Sequence, residues 1–433
     1  MTALVQRASE LVGSPRYRHW DKLRRLTPPA GLSHREWWLI LKLGRTTDYR
    51  PCPLRSTRDE PFRYTLSDPT SEYLRDIDSR ASGTLAVADP IANPELKDRY
   101  LINSLVAEAI TSSQLEGAAT TREVAKEMIR TRRPPRDVDE RMILNNFLAM
   151  QRIGEIRNES LTSAIVFEIH RTVTEGTLED PDDAGRLRRS DRAIDVRDFR
   201  NTIFHIPPPA ANLETRLAAM CNFANGITPK GFMHPVIRSI IVHFWLAYDH
   251  PFVDGNGRTA RALFYWSMLH QGFWLCEFIS ISEIVRKAPA KYGRAFLYTE
   301  TDDNDLTYFV LYHLEVIRRA IDHVHEYVDR KTNELRLLER RMRAVAVLNY
   351  RQQALISHAL RHPHHVYTIE SHRLSHGVVY QTARTDLLDL AKRGVFVASK
   401  RGREWQFSPI EGLEQRLSEA VPPSRTHRNR SDE

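Results

Sequence analysis

Twelve residues near the middle of the chain combine the side chains that phosphate chemistry needs. They read HPFVDGNGRTAR from His250 to Arg261. Apolar residues at helical spacing precede them over 236–249, and a second helical pattern follows over 259–269, so we predict a tight loop between two helices. Gly255 and Gly257 let the backbone turn and expose N–H groups at the start of the second helix, where anions bind. The loop therefore predicts a phosphate-binding site.

Each polar side chain of the loop suits one task in moving part of a nucleotide. Asp254 offers a hard oxygen ligand for Mg²⁺, which takes one or two protein carboxylates and completes its shell with waters and phosphates. Asn256 can donate to a phosphate oxygen, and Arg258 and Arg261, three apart on one helical face, can fork onto phosphoryl oxygens. At the loop entrance, His250 can take a proton from an attacking hydroxyl near neutral pH.

The run matches the signature of the Fic family, HPFx(D/E)GNGRxxR, at every defined position, so the chain resembles that family. The resemblance implies a helical bundle that transfers AMP from ATP to a Ser, Thr or Tyr hydroxyl of a protein and releases pyrophosphate. It implies that His250 is the general base, that Asp254 holds Mg²⁺ and that Phe252 anchors the loop in the core. The residues that it places on the phosphates are Gly255, Asn256, Gly257, Arg258 and Arg261.

A second motif lies upstream, where Ser112 to Gly117 read SSQLEG. It fits the family's inhibitory pattern, (S/T)xxxE(G/N), and follows an apolar helical pattern that Gly117 would end. The resemblance implies that Glu116 pairs with Arg261 and keeps the γ phosphate from binding productively. A carboxylate competes directly with a phosphate for the guanidinium fork. The alternative is that Glu116 caps or decorates a surface helix.

Two further stretches carry weaker signals. Short extended segments at 185–196 and 203–206 precede a proline block, where the family has a β-hairpin flap over the active site. The resemblance implies that the flap edge, Ile203, Phe204 and His205, docks the target backbone by strand addition, while a purely structural hairpin is the alternative.

Downstream, Tyr292 can stack on adenine or pack in the core, and Asn304 or a neighbour can cap the next helix.

The composition fits a folded chain with a sizeable core. Of its 433 residues, 41% are hydrophobic. No apolar run approaches the ~18 residues of a membrane span, and the first residues lack the apolar core of a signal peptide. Cys52, Cys221 and Cys276 are well separated and form no CxxC pair, which favours reduced thiols. We expect a cytoplasmic protein that does not enter a membrane.

The C-terminal quarter holds most of the positive charge. Eleven basic and four acidic residues between Arg341 and Ser408 leave an excess of seven charges, against a net charge of +8 for the whole chain. Three helical patterns and then two strand patterns follow one another there, at 351–361, 367–374, 378–392, 395–397 and 405–407. This order, with a basic tip between the strands, predicts a winged helix-turn-helix.

Such a unit can read DNA or dock a protein. For DNA, Tyr380, Gln381 and Arg384 would lie on the outer face of the recognition helix, and Arg401 and Arg403 would reach phosphate or the minor groove from the wing. A two-fold DNA site would favour a homodimer. Protein docking or dimerisation is the alternative use.

These patterns predict a mainly α chain in four parts. A leader region over 1–95 packs on the core, a Fic helical bundle with a β-hairpin flap occupies 96–335, the winged helix-turn-helix occupies 340–412, and a polar, disordered tail follows over 413–433. The predicted function is AMP transfer from ATP, with Mg²⁺, to a protein target or to the chain itself. The alternative is a DNA-binding regulator whose Fic fold senses a nucleotide or removes AMP, although a pure sensor has no need of His250.

Overall fold

The structure of the protein is a computed structural model. It describes residues 17–66, 68–82, 94–191, 194–197, 203–344, 348–401, 404–413 and 416–417. Within these ranges no helix has the length and apolar character needed to cross a membrane. The predicted tail lies almost wholly outside the described residues, as do parts of the predicted leader region.

The chain is mainly helical, as predicted, and forms two compact units. The first comprises the described residues before 86 and those in 103–323, and the second comprises those in 86–102 and after 323. The predicted boundaries at 95 and between 335 and 340 stay predictions. In the described residues before 345 the α-helices are α1 (Trp20–Leu23), α2 (His34–Thr46), α3 (Asp68–Ala81), α4 (Pro94–Leu115), α5 (Arg122–Thr131), α6 (Val138–Glu155), α7 (Ser163–Thr174), α8 (Leu213–Ala224), α9 (Pro235–Asp249), α10 (Asn256–His270), α11 (Ile281–Arg286), α12 (Pro289–Thr301) and α13 (Thr307–Ala344).

Two buried helices, α9 and α10, lie at the centre of the first unit. Almost every residue of α9 is buried, because its sequence is apolar on all sides and it packs against both α8 and α10. Pro235 occupies the first turn, where its missing N–H is not needed. The predicted helix over 259–269 begins three residues earlier, at Asn256, and α10 also packs on α6 and α7. The loop between α9 and α10 is thus fixed from several sides.

A small core joins α4, α5 and α6 beside these two helices. It consists of Val106, Ala109, Ile110, Ala125, Met128 and Ile143. After α4 the chain turns at Gly117, which has a φ of 102° that favours glycine. The predicted end of this helix is therefore confirmed.

The strands of the first unit form two short antiparallel hairpins. One pairs β1 (Arg50–Arg55) with β2 (Pro61–Tyr64), which the sequence analysis did not predict. The other pairs β3 (Val196–Arg197) with β4 (Ile203–His205), as predicted for the flap. The prediction of an extended segment over 185–190 was wrong, because these residues form turns and irregular backbone.

The N-terminal residues of the first unit bond to its later helices. The Arg45 guanidinium donates to the Tyr308 hydroxyl at 2.8 Å, and the Thr57 N–H donates to the Tyr248 hydroxyl at 3.1 Å. The Asp305 carboxylate, and not Asn304, accepts the N–H of Thr307 at the start of α13 at 3.0 Å.

The second unit contains the helices and strands that the sequence predicts, with one addition. They are α14 (Tyr350–Arg361), β5 (Tyr367–Thr368), α15 (Ile369–His376), α16 (Tyr380–Lys392), β6 (Phe396–Arg401) and β7 (Glu404–Pro409). The added strand is β5, which pairs with β7 to give an antiparallel sheet in the order β5-β7-β6. Ala383, Leu387 and Leu390 of α16 are buried in the core of this unit.

Candidate active site

The loop between α9 and α10 has unusual backbone angles at both ends. His250 ends α9 in the left-handed region, with a φ of 43° and a ψ of 57°, and its N–H bonds to the Leu246 carbonyl at 3.0 Å. Gly255 precedes α10 with a φ of 77°. A non-glycine residue at positive φ is strained and persists only where its surroundings hold it. The groups that hold His250 therefore matter to the site.

Arg188 is one of these groups. Its backbone N–H donates to the Pro251 carbonyl and its Nε to the His250 carbonyl, both at 2.9 Å. Its Nη2 donates to the Pro208 carbonyl. This buried guanidinium thus ties the start of the loop to the segment after the flap, and burial lowers its pKa. The sequence does not reveal this role, because nothing distinguishes Arg188 from the neighbouring arginines at 186 and 189.

His170 of α7 holds the middle of the loop. Its ring stacks on Phe252, with 3.7 Å between the centroids and 10° between the planes. Its Nε2 lies 2.8 Å from the Asp254 carbonyl, and its Nδ1 accepts the N–H of Gly185 at 2.8 Å. Burial lowers the pKa of His170 to about 4, so the ring is neutral with its proton on Nε2. Phe252 is fully buried, as the resemblance implied.

The His250 side chain has the properties of a general base. Burial lowers its pKa to about 4, with smaller contributions from His205 and Arg188, while Glu116 acts in the opposite direction. The imidazole is therefore neutral at pH 7. Nδ1 lies 3.4 Å from the Ala247 carbonyl, a weak contact that favours a proton on Nδ1 and leaves Nε2 as the acceptor.

Two predicted phosphate ligands mainly brace the loop. The Asn256 side chain accepts the N–H of Phe252 at 3.0 Å and donates to the Phe252 carbonyl at 2.9 Å. Arg258 is buried, and its Nη1 donates to the Val173 carbonyl at 2.7 Å. Both polar atoms of the Asn256 side chain thus bond within the loop, but Nδ2 carries a second N–H, so donation to a phosphate stays a prediction. Its backbone N–H, in the first turn of α10, remains suited to an anion.

Asp254 points outward at the start of α10. Its carboxylate lies 3.3 Å from Nη2 of Arg258, and 60% of its side chain is exposed. An accessible carboxylate beside an anion-binding helix end suits Mg²⁺, which shares its shell with phosphates. Among the described residues no three His, Cys, Asp or Glu side chains are grouped as a metal site.

The predicted contact between Glu116 and Arg261 is present. Glu116 Oε1 accepts from Nη2 of Arg261 at 2.7 Å. Arg261 is also held by Ser112, through its hydroxyl at 2.8 Å and its carbonyl at 3.0 Å. A Cβ built on Gly257 would lie 2.2 Å from Glu116 Oε1. The carboxylate thus covers the first turn of α10 and occupies the place expected for a phosphate.

Tyr292 is half-buried in an aromatic cluster and lies beside Arg261. Its hydroxyl is 2.9 Å from Nε2 of His243, and its ring centroid is 5.1 Å from that of Phe296 and 6.2 Å from that of Tyr312. Burial raises the pKa of Tyr292 to about 12. These contacts show that Tyr292 packs within the cluster, and stacking on adenine stays a prediction.

The predicted flap residues differ in their surroundings. His205 is buried, with Nε2 at 2.7 Å from the Tyr248 carbonyl and Nδ1 at 2.8 Å from the Glu300 carboxylate. Its side chain anchors the flap, while docking of a target to the main chain of this edge stays a prediction. Ile203 is 49% exposed, and Phe204 reaches toward Gly293 of α12. Among the three predicted docking residues, Ile203 has the most exposed side chain.

The predicted DNA-contacting residues belong to the second unit. Tyr380 is 52% exposed and Gln381 is exposed at the start of α16, while Arg384, one turn later, is half-buried. Arg401 is exposed at the end of β6. Arg403 lies outside the described residues.

The sequence is similar to a known family and to named proteins. Residues 160–268 match the model of the Fic/DOC family. The chain is 28% identical over 209 residues to "Protein adenylyltransferase Fic" of Nematostella vectensis, a match that covers 48% of this chain and 45% of that protein. The protein of the same name in Drosophila melanogaster is 29% identical over 164 residues, which is 37% of this chain and 31% of that protein. The chain spans less than half the length of these curated relatives.

The fold also has a counterpart among solved structures. A Fic family protein from Desulfovibrio desulfuricans G20 superposes with a TM-score of 0.53 and 17% identity, covering 80% of this chain and 97% of that chain. At this identity the likeness shows a shared fold. The family match includes the whole loop from His250 to Arg261 and also both of its supports, His170 and Arg188. Residues 160–268 are therefore similar to the Fic/DOC family, as the signature predicted.

Proposed function

We propose that this chain is a protein adenylyltransferase that moves AMP from ATP to a hydroxyl of a protein or of the chain itself. The observation that carries the proposal is a neutral, half-buried His250 beside a helix N-terminus whose anion position is filled by Glu116. The names of the relatives support the same reaction. They do not favour the alternative of a nucleotide-sensing regulator.

The reaction follows from the groups around the loop. Nε2 of His250 accepts the proton of the acceptor hydroxyl, and the hydroxyl oxygen bonds to the α-phosphorus of ATP. The bond from that phosphorus to the oxygen bridging the α and β phosphates breaks, and pyrophosphate leaves. The N–H groups of the first turn of α10 stabilise the phosphate charge. Arg261 would hold the terminal phosphates once Glu116 is displaced.

A divalent metal fits one position in this arrangement. The exposed Asp254 carboxylate is the available hard ligand, and Mg²⁺ needs only one or two such groups. When bound there, Mg²⁺ would neutralise phosphate charge and favour departure of pyrophosphate. Asp254 would hold it, while the contact to Arg258 keeps the carboxylate at the loop.

Glu116 would restrain the enzyme by occupying two phosphate contacts at once. It binds the Arg261 fork and covers the backbone at Gly257. A γ phosphate brought to the same place would meet like charge and a filled space. ATP would then bind weakly or in an unproductive position, and an acceptor protein or a loop movement would be needed to free the arginine.

Removal of Glu116 tests the proposal. The full chain, Glu116→Gly, and Glu116→Gly with His250→Ala are incubated with Mg²⁺ and α-labelled ATP, alone and with a cell extract, and label in protein is measured together with intact mass. We expect Glu116→Gly to transfer AMP at least about tenfold faster than the wild type. Loss of the base should lower that rate by roughly 10² to 10⁴. The matched control is Glu123→Gly, which removes an exposed glutamate of α5.

The outcomes separate the candidates. AMP on protein from Glu116→Gly, and none after His250→Ala, supports a glutamate-restrained adenylyltransferase. Absence of label from every form would contradict the proposal. Equal activation by Glu123→Gly would show that the effect is not specific to the Arg261 pair.

We also propose that the second unit is a winged helix-turn-helix that binds DNA. The supporting observations are the exposed start of α16 with Tyr380 and Gln381, the three-stranded sheet, and the local excess of basic residues. Asp386, on the same helix, accepts bonds from Arg351 and His372, so this face of α16 is used internally. The outer face is left for a partner.

Duplex binding at two salt concentrations tests this proposal. Arg384→Ala should weaken DNA binding by about 1–3 kcal/mol if Arg384 contacts a base. Arg401→Ala should reduce the slope of the logarithm of the binding constant against the logarithm of the salt concentration by about one if Arg401 contacts a phosphate. Arg393→Ala is the control, because Arg393 is already paired with Asp389 at 2.7 Å. No binding at low salt, or an equal loss in the control, would favour protein docking. Two chains per two-fold duplex would support a dimer.

A reducing compartment, such as the cytoplasm, is part of the proposal. Cys52, Cys221 and Cys276 are free and buried. Burial raises the pKa of Cys52 to about 12 and that of Cys221 to about 11, which keeps these thiols protonated and unreactive.

A further inference from the structure

A cavity of about 580 Å³ lies in the first unit, apart from the loop of the active site. Its size falls in the range of small-molecule sites, about 300–1,000 Å³. Its walls come from the start of the described chain, from the beginning of α3, and from α12 and α13. No residue of the loop from His250 to Arg261 lines it.

The two faces of α12 separate this cavity from the active site. Gly293 and Glu300 face the flap, because a Cβ on Gly293 would lie 3.7 Å from Phe204 and the Glu300 carboxylate contacts His205. Residues 291, 294 and 298 line the cavity. At about 100° per residue they lie on the opposite side of the helix. The cavity is therefore a separate site and not an extension of the nucleotide pocket beneath the flap.

Tyrosine rings make up much of the wall. Five line the cavity: Tyr17, Tyr73, Tyr298, Tyr308 and Tyr312. Three of their hydroxyls are already bonded to aspartates, since Tyr17 bonds Asp305, Tyr298 bonds Asp21 at 3.2 Å and Tyr308 bonds Asp302 at 2.7 Å. These rings are held in place with their polar ends occupied. His19 stacks on Tyr298 at 4.1 Å and the Arg45 guanidinium lies over the Tyr17 ring at 3.8 Å, so an occupant meets the aromatic surface that these contacts leave, which suits a planar ring.

Four cations surround the same cavity, with one carboxylate among them. The cations are Arg18, Lys22, Lys291 and Arg294, and the carboxylate is Glu315. Within the described residues no salt bridge involves any of the four, whereas Arg24, close to Lys22, pairs with Asp21 at 2.8 Å. A solvated surface explains one or two such side chains. Four like charges around one aromatic cavity repel one another and attract an anion.

We propose that this cavity binds a nucleoside phosphate, with the base among the tyrosines and the phosphate at the cationic rim. Lys22, Lys291 and Arg294 are exposed at that rim, where a flexible ammonium or guanidinium can follow a phosphate. The aromatic wall and the unpaired cations together match the two halves of such a ligand. The site would be additional to the one that holds the substrate ATP.

Nucleotide binding by the full chain tests this inference when the loop site is disabled. Arg261→Ala removes the phosphate fork of the active site, and ADP and GDP are titrated without Mg²⁺ by calorimetry. We expect one nucleotide per chain to remain bound. Adding Lys291→Glu and Arg294→Glu should weaken binding at least about tenfold, because two charge-assisted contacts become repulsive. The control carries Arg286→Glu and Lys287→Glu, the same change of charge outside the cavity lining.

Photolabelling locates the site without relying on a disabled loop. The wild-type chain is irradiated with 8-azidoadenosine diphosphate, and labelled peptides are mapped. Label on Tyr298, Tyr308 or Tyr312 is the expected result. Label confined to the loop, binding of neither nucleotide by Arg261→Ala, or an equal loss in the control would overturn the inference. These readouts do not depend on AMP transfer, so its failure in the earlier test would leave them unchanged.

Discussion

Glu116 Oε1 lies 2.7 Å from Nη2 of Arg261 and also fills the space that a side chain on Gly257 would need. One carboxylate therefore takes both contacts that a terminal phosphate would use, the guanidinium fork and the exposed start of α10. Arg261 is almost fully buried, whereas 31% of the Glu116 side chain is exposed. The carboxylate is thus the partner that can withdraw, while the arginine stays held by Ser112.

Charge and volume at position 116 can be separated by comparing two substitutions. Glu116→Gln keeps the volume above Gly257 and one bond to Arg261 but removes the charge, whereas Glu116→Gly removes both. We expect the affinity for ATP to increase in the order wild type, Gln, Gly, with the Gly variant about 10- to 100-fold tighter than the wild type. Calorimetry with His250→Ala in every form measures this without turnover. Equal affinities for all three would show that Glu116 does not restrain nucleotide binding.

The pH dependence of transfer should report the buried state of His250. A general base must be neutral, and burial lowers its pKa to about 4. Transfer by Glu116→Gly should therefore stay level from pH 8 to about pH 5 and fall only as the pH approaches 4. Because the charge of Glu116 raises the pKa of His250, its loss should move this fall in rate to lower pH. A fall in rate near pH 6.5, the ordinary pKa of histidine, would contradict the assignment of His250 as a base with a lowered pKa. Circular dichroism over the same pH range would detect unfolding.

Arg188 should be needed for transfer although it touches no substrate group. Its bonds to the His250 and Pro208 carbonyls fix the loop, so Arg188→Ala in the Glu116→Gly background should lower the rate of transfer at least about tenfold. Arg188→Lys should recover only part of this rate, because an ammonium cannot fork to both carbonyls. The neighbouring Arg189, which is exposed, provides the control. If Arg189→Ala lowered the rate equally, the effect would come from charge and not from position.

The elements around the site could be predicted from local sequence. Helical periodicity places α9 and α10, and the glycines at 255 and 257 mark the turn between them. The start of α10 was placed three residues late, because Asn256 belongs to the first turn although it carries a loop-forming side chain. The approach of Glu116 to Arg261 spans 145 residues and came from the motif, since no local pattern specifies it.

The supports of the loop could not be predicted in the same way. His170 and Arg188 act through backbone carbonyls, which any sequence offers, so nothing in the loop marks its partners. Asn256 illustrates the same limit, because a side chain suited to phosphate is equally suited to a nearby peptide group. The sequence predicts His205 at an exposed edge, whereas its side chain bonds to the Tyr248 carbonyl and the Glu300 carboxylate and is buried. Such choices depend on tertiary contacts.

His170 should also make the stability of the first unit sensitive to acid. Its folded-state pKa of about 4 lies below the ordinary value of 6.5, so between these values the unfolded chain binds a proton that the folded chain excludes. Its contribution to stability is complete above about pH 6.5 and is lost as the pH falls toward 4. His170→Gln should lower stability at pH 7 by roughly 1–3 kcal/mol, through the altered bonds to Asp254 and Gly185.

The same variant should lose less stability on acidification. Between pH 7 and pH 4.5 the decrease in the free energy of unfolding should be smaller than in the wild type by about 2 kcal/mol, because one buried histidine no longer takes up a proton. Urea unfolding at both pH values measures this difference. His323→Gln, at an exposed histidine of α13, should leave the decrease unchanged. An identical decrease in His170→Gln and the wild type would mean that His170 is not kept neutral by the fold, and its role as a donor to the Asp254 carbonyl would need another proton arrangement.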